Sequence, residues 1–138
     1  MATISKLAIV LKKEIFKAYD IRGLYPGEIN ARTAALIVEK LAGKLSPKKV
    51  LIGRDARLSS PVLYGALKKT LLKRKGQKVI SAGIMTTPMF YFLVNYRGAD
   101  LGIMVTASHN PKEYNGLKIV RQKAIPISGE DVYRLVNS

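Results

Sequence analysis

The sequence predicts an α/β fold, with a mixed, mostly parallel sheet of four strands sandwiched between helices. Short apolar runs alternate with segments whose apolar residues recur at helical spacing, which is the order of a parallel sheet with helices on both faces. The last two runs are joined by about ten residues with no helical pattern, a connection that suits an antiparallel pair. The length of 138 residues fits one domain.

The first helix is predicted to begin after Asn30, a good N-cap residue. Apolar residues recur at helical spacing in Ala34, Ile37, Val38, Leu41, Ala42 and Leu45. Ser46 precedes Pro47 and ends this helix, because the residue before a proline disfavours the helical conformation. Residues 49–53 then read as the first buried strand.

The second helix is predicted to open at Ser60, with Pro61 in its first turn, and to end at Gly76. Its inner face consists of Leu63, Ala66, Leu67, Thr70 and Leu71. Residues 79–81 predict the second strand, and residues 87–96 predict a third helix that opens at a Thr-Pro pair and is rich in aromatic residues.

Residues 101–106 and 117–120 predict the third and fourth strands. Ser128, with Asp131 three residues later, resembles a capping box and predicts a last helix that runs to the end of the chain.

The composition excludes several functions. There is no cysteine, which removes disulfides, thiolate metal sites and cysteine nucleophiles, and a single histidine cannot build a zinc site alone. No apolar run is long enough to cross a bilayer, so we expect a cytoplasmic protein with no membrane partner. The net charge of +15 suggests an anionic partner: nucleic acid, an anionic membrane or a phosphorylated metabolite. Many lysines lie on predicted helix backs, where a solvated basic face is common.

The most informative segment is residues 106–111, which follow the third predicted strand and hold Ser108, His109 and Asn110. The carboxyl ends of parallel strands are where α/β sheets bind ligands. A polar Asn-Pro turn is the structural alternative. The flanking residues do not match a G-x-S-x-G hydrolase elbow, and no Walker A pattern occurs. A serine among cations suits phosphoryl transfer, which needs charge stabilisation and alignment more than a strong base.

Four segments together resemble the α-D-phosphohexomutases, the phosphomannomutase and phosphoglucomutase group. Residues 106–111 (TASHNP) and 114–118 (YNGLK) are similar to that family's active-site loop. Residues 16–23 (FKAYDIRG) are similar to its N-terminal signature, and residues 53–60 (GRDARLSS) to its GRD-x-R-x-S segment. The resemblance extends over nearly the whole chain from Ile15 onward.

The resemblance implies a role for each polar residue near this loop. Ser108 would carry the phosphoryl group, and its phosphate would supply one ligand to Mg²⁺. Lys118 would be a general acid/base, and His109 would orient the reacting hydroxyl or exchange a proton with it. Arg22 would steady phosphate charge, Tyr19 would line the cleft, and Asn110 would contact the substrate. The charged residues of the GRD-x-R segment would form a structural ion-pair cluster that supports the loop.

The implied function is the interconversion of hexose 1-phosphate and hexose 6-phosphate, with a hexose 1,6-bisphosphate as intermediate and activator; a phosphoglucosamine mutase is the alternative. Residues 1–138 would be domain I, the phosphoserine domain. The acidic metal loop, sugar selection and the second phosphate site would lie in later domains absent from this chain, which we therefore expect to be inactive alone.

An alternative of another class is a non-catalytic basic module that binds a polyanion. Such a module should expose aromatic residues among its cations. Phe90, Tyr91, Phe92 and Tyr96 fall in one helix that we predict to belong to the core, which argues against nucleic-acid binding.

Overall fold

The computed structural model describes residues 11–138, and residues 1–10 of the predicted domain lie outside the described residues. The strands are β1 (Ile21–Leu24), β2 (Lys49–Arg54), β3 (Lys78–Ile84), β4 (Leu101–Val105), β5 (Tyr114–Arg121) and β6 (Ile125–Pro126). The helices are α1 (Ala31–Leu45), α2 (Ser60–Leu72), α3 (Thr87–Tyr96) and α4 (Gly129–Val136). Short 3₁₀ turns occur at Lys13–Ile15 and Gln122–Ala124. Within residues 11–138, no helix has the length and apolar character that a membrane span requires.

The strands form one sheet in the order β1-β5-β4-β2-β3, with β6 also paired to β5. β2 is parallel to β3 and β4, whereas β5 is antiparallel to β1, β4 and β6. Five strands therefore run in one direction and β5 alone runs in the other. This arrangement confirms the mixed, mostly parallel sheet and the antiparallel pairing of the third and fourth predicted strands.

The sheet has six strands rather than the predicted four, so the predicted strand count was wrong. The two additional strands, β1 and β6, both pair with β5. Each is short, four and two residues long, and contains a glycine or a proline that interrupts any apolar run. These segments are extended because they pair with β5. The apolar pattern within so short a segment does not indicate that pairing.

Side-chain caps define three helix starts. Asn30 and Thr33 form a reciprocal capping box at α1, with Asn30 Oδ1 accepting from Thr33 N at 3.0 Å. Thr86 caps α3 and Ser128 caps α4. At α2 the N-cap residue Ser59 makes no such bond; its hydroxyl accepts instead from a side chain of β5, described below.

Helices cover both faces of the sheet and create two apolar clusters. The larger cluster lies between the sheet and helices α1, α2 and α4, and the smaller one lies between the sheet and α3. Side chains alternate between the clusters along each central strand: Val50 and Ile52 of β2 join the larger cluster, and Leu51 joins the smaller.

The predicted burial of the α3 aromatic residues is only partly correct. Phe90 is fully buried, but Phe92 and Tyr96 are 63% and 74% exposed and stack on each other with ring centroids 5.6 Å apart. The helix lies on the outer side of a single sheet, so only the stripe around Phe90 and Val94 faces the core. The prediction that these rings are buried, which argued against a polyanion-binding surface, is therefore wrong for Phe92 and Tyr96.

Gly116 of β5 lets β1 approach closely, because a Cβ atom at this position would overlap the carbonyl oxygen of Ile21. We expect Gly116→Ala to lower the free energy of unfolding by about 2–3 kcal/mol through overpacking. Gly65→Ala is the matched control: the added methyl on α2 meets no other atom within 4 Å, and alanine is favoured over glycine in a helix by about 0.5–1 kcal/mol.

Urea unfolding of the chain measures both changes. Opposite signs for the two substitutions would support the close β1–β5 approach, and a Gly116→Ala variant as stable as the parent would contradict it.

Candidate active site

Ser108 lies in a loop at the carboxyl end of β4, a central strand that is flanked by β5 and β2. Its side chain is exposed, and no residue among 11–138 makes a hydrogen bond to its hydroxyl. Its backbone is left-handed, with φ of +57°, a conformation that costs a residue other than glycine about 1–2 kcal/mol. Such local strain persists only where the surroundings impose it, and it often marks a functional position.

Hydrogen bonds inside the loop shape its inner side. Ser108 N donates to Thr106 Oγ1 at 3.0 Å. The backbone N and the side-chain Nδ2 of Asn110 both donate to Ala107 O, at 3.1 and 2.9 Å. Thr106 and Ala107 are buried, so these bonds satisfy polar groups that water does not reach.

Arg57 contacts the loop from the segment that follows β2. Its guanidinium donates to four backbone carbonyls: Nη1 to Pro111 O at 2.7 Å and Tyr114 O at 3.1 Å, and Nη2 to Ser108 O at 2.9 Å and Asn110 O at 2.6 Å. The side chain is half-buried, and its Nε lies 3.3 Å from a carboxylate oxygen of Asp55.

A polar network continues from Asp55 into the start of β5. Asp55 Oδ1 accepts from the Ser60 hydroxyl at 2.5 Å and from Arg57 N at 3.1 Å. Asn115 is fully buried, and its Nδ2 donates to the hydroxyls of Ser59 and Ser60 at 2.7 and 3.0 Å. The network joins residues of the GRD-x-R-x-S segment to the YNGLK segment and, through Arg57, to the TASHNP loop.

An open cleft of about 820 Å³ lies beside the loop at the carboxyl edge of the sheet. Ser108, His109 and Lys118 line it together with Asp55 and the amino end of α3. The remaining lining residues are Ala56, Ile84, Met85, Thr86, Thr87, Pro88, Met89, Met104 and Thr106. Lys118 pairs with Met104 of β4, so its side chain projects from the same face of the sheet as α3.

Arg22 lies near this cleft on the neighbouring strand β1. It pairs with Gly116, two residues from Lys118 on β5, so Arg22 and Lys118 project from the same face of the sheet. Arg22 Nε donates to Asp20 Oδ1 at 2.8 Å, and Asp20 is buried.

Burial raises the pKa of the Tyr91 phenol, and the negative charge of Asp20 raises that pKa further.

The structure brings together some of the predicted site residues and not others. Ser108, His109 and Lys118 share the cleft, and Arg22 lies on the same sheet face outside its lining. Tyr19 is 75% exposed and does not line the cleft. Asn110 was predicted to contact substrate, but its side chain is turned inward to Ala107 O.

Sequence reasoning did not place the amino end of α3 in the cleft. Thr86 and Thr87 directly follow β3, which is parallel to β2 and β4. The carboxyl ends of parallel strands meet at one edge of a sheet, and this signal could have identified both threonines.

The described residues do not by themselves fit a Mg²⁺ site. No group of three acidic or histidine side chains that could hold a metal occurs among residues 11–138. Of the residues that the structure describes, Asp55 alone contributes a carboxylate to the cleft lining. Both of its oxygens already face Arg57 or the Ser60 hydroxyl. A phosphate on Ser108 would offer one oxygen ligand, of the kind that Mg²⁺ prefers.

Comparison with known proteins gives a consistent result. The family model described as phosphoglucomutase/phosphomannomutase, alpha/beta/alpha domain I, matches residues 13–138. A protein named phosphohexose mutases from Xanthomonas campestris pv. campestris is 47% identical over 115 residues, covering 83% of this chain and 25% of that protein. A phosphomannomutase from Salmonella typhimurium is 45% identical over 131 residues, covering 92% of this chain and 28% of that protein.

Among solved structures, a phosphoglucomutase/phosphomannomutase family protein from Burkholderia thailandensis aligns with a TM-score of 0.80 and 34% identity, covering 93% of this chain and 30% of that one. The chain thus spans about a quarter to a third of the length of these relatives.

The left-handed conformation of Ser108 can be tested through stability. We expect Ser108→Gly to be more stable than Ser108→Ala by about 1 kcal/mol, because glycine adopts positive φ without strain. Ser46, which is left-handed at the end of α1 with φ of 46°, is a matched control: Ser46→Gly should exceed Ser46→Ala by a similar amount.

Urea unfolding of the four variants provides the measurement. If glycine is more stabilising than alanine at position 46 but not at position 108, Ser108 is not held at positive φ in solution.

Proposed function

Because the chain belongs to the phosphoglucomutase/phosphomannomutase family, as its α/β/α domain I, we propose that it is the phosphoserine domain of a phosphohexomutase and that Ser108 carries the phosphoryl group. The reaction is the interconversion of a hexose 1-phosphate and a hexose 6-phosphate. A phosphoglucosamine mutase, with a glucosamine phosphate as substrate, is the alternative. The reaction takes place in the cytoplasm, where charged sugars are retained by the membrane.

One observation supports this proposal above all: the Ser108 hydroxyl makes no hydrogen bond to residues 11–138 and opens into a cleft that also contains Lys118 and His109. A serine hydrolase would instead need a base hydrogen-bonded to the hydroxyl. Phosphoryl transfer depends on positioning and on charge stabilisation. The cleft offers Lys118 and His109 beside the serine, and its carboxylate, Asp55, is engaged by Arg57.

The chain's own residues then act as follows. When a sugar hydroxyl attacks phosphoserine, the bond between phosphorus and Ser108 Oγ breaks and a bond to the sugar oxygen forms. Lys118 removes the proton from the sugar hydroxyl, and His109 supplies a proton to Ser108 Oγ. Arg22 balances phosphate charge beside the cleft. The product is a hexose 1,6-bisphosphate, and its other phosphoryl group returns to Ser108 by the reverse steps.

Mg²⁺ would stabilise the charge of the transferred group, with the phosphate of Ser108 as one ligand. Its carboxylate ligands must come from outside residues 11–138, since the one carboxylate in the cleft lining is engaged with Arg57 and Ser60. The remaining domains of the enzyme are therefore partners of this one, and we propose that the chain alone does not turn over hexose phosphates.

A second candidate function is supported by a specific surface. The exposed Phe92–Tyr96 stack and the net charge of +15 are features that bind single-stranded nucleic acid. Titration of the chain with a labelled oligonucleotide distinguishes the two: binding that is lost in Phe92→Ala would favour the polyanion-binding function.

The mutase proposal predicts one covalent modification. We expect the intact enzyme to gain one phosphate from hexose 1,6-bisphosphate, mapped to Ser108 by peptide mass spectrometry, and Ser108→Ala to lose at least about 10⁴-fold in turnover, because the covalent route is removed. Ser46→Ala is the control, since Ser46 shares the left-handed backbone but lies outside the cleft. Phosphate at another residue, together with full activity of Ser108→Ala, would contradict the proposal.

A further inference from the structure

We propose that Arg57 is a positioning residue for phosphoryl transfer: it holds Ser108 in its left-handed conformation and thereby aims the hydroxyl into the cleft. This inference rests on the proposed function, because it assigns a task to Arg57 in the reaction of Ser108. It goes beyond a general supporting role for the ion-pair cluster, since it concerns how one side chain sets the direction of the reacting atom.

Arg57 uses all of its donors within the protein. Arginine has five N–H groups in a rigid planar fork. Four of them are directed to the carbonyls of Ser108, Asn110, Pro111 and Tyr114, and Nε faces Asp55. No donor remains for a phosphate, so the contribution of Arg57 to the reaction passes through the loop rather than through contact with substrate.

The carbonyls that Arg57 contacts fix the backbone on both sides of the Ser108 side chain. The carbonyl of Ser108 is fixed by Nη2 at 2.9 Å, and that of Asn110 by the same nitrogen at 2.6 Å. With Ser108 N bonded to Thr106 Oγ1, the peptide groups on both sides of Ser108 are held. This arrangement offsets the cost of the positive φ, which is about 1–2 kcal/mol for a serine.

Arg57 is itself held in place by a polar network on the side away from the loop. Asp55 receives hydrogen bonds from Ser60 Oγ and Arg57 N, and the buried Asn115 donates to Ser60 Oγ. A buried network of this kind is rigid when each member is satisfied. The guanidinium is thereby preorganised, and the loop does not need to reorganise during transfer.

The expected consequence of loosening this contact is a change in rate rather than affinity. A misplacement of the reacting atom by about 1 Å can cost about 10²-fold in rate. Lys118 and His109 are not bonded to Arg57 and remain in the cleft, so substrate binding should change little.

The experiment uses Arg57→Lys in the intact enzyme, because lysine keeps the charge but has only three donors on one nitrogen. We expect kcat to fall about 10²-fold with KM for the hexose 1-phosphate changed less than about threefold, and phosphorylation of Ser108 by hexose 1,6-bisphosphate to slow in parallel. Arg54→Lys is the matched control, since Arg54 lies at the same sheet edge but its side chain, among residues 11–138, donates to Asp55 O alone; the kcat of this variant should change far less.

Thermal unfolding of each variant shows whether it folds. A second variant, Asp55→Asn, allows the inference to be tested even if Arg57→Lys does not fold. Asp55→Asn leaves the four carbonyl partners of Arg57 in place. It removes the negative charge that faces Nε and weakens the bonds from Ser60 Oγ and Arg57 N, so it should lower kcat by a smaller factor with KM unchanged. In Arg57→Ala, added methylguanidinium should restore part of the lost rate, because it can occupy the vacated position.

Three results for folded Arg57→Lys would overturn the inference: full kcat, a rise in KM at constant kcat, or a loss of kcat no larger than that of Arg54→Lys. If Arg57→Lys does not fold, an unchanged kcat in Asp55→Asn would overturn it. Failure of the proposed function is a different outcome, because Ser108→Ala would then remain active whatever Arg57→Lys does.

Discussion

The contact between Arg57 and four backbone carbonyls is the interaction on which the rest of the site depends. It turns the carbonyl oxygens of the Ser108 loop inward, to one half-buried guanidinium. The opposite side of the loop is left free, with the Ser108 hydroxyl exposed to the cleft. A serine at positive φ would otherwise relax to an extended or helical backbone at a gain of about 1–2 kcal/mol. The fold thus stores a small strain where the chemistry is expected.

The contact between Arg57 and the Ser108 loop explains why the GRD-x-R-x-S, TASHNP and YNGLK segments occur together in this sequence. Asp55, Arg57 and Ser60 follow β2, Ser108 follows β4, and Asn115 lies in β5, so three strands bring these residues to one edge of the sheet. The hydroxyls of Ser59 and Ser60 stand at the start of α2 but bond to Asn115 and Asp55. Ser59 therefore does not cap α2 with its side chain. The two serine hydroxyls instead belong to the network that supports the Ser108 loop.

Local patterns predicted much of this fold. The bounds of α3, the capping residues of α1 and α4, and the antiparallel pairing of β4 with β5 all depend on neighbouring residues, and all were predicted. β1 was missed because its partner strand β5 lies far along the chain, and β6 was missed because it is only two residues long and ends in a proline. The exposure of Phe92 and Tyr96 was missed because α3 covers the sheet as a single helix. The contacts of Arg57 span more than fifty residues of sequence, and no local spacing reports which carbonyls it meets.

A crystal structure of the intact enzyme with phosphorylated Ser108 would test this account most directly. We expect Ser108 to keep its positive φ and its phosphate to face Lys118. We also expect Arg57 still to donate to the carbonyls of Ser108, Asn110, Pro111 and Tyr114. An Arg57 side chain that leaves those carbonyls to bind the phosphate, or a Ser108 backbone at negative φ, would contradict it.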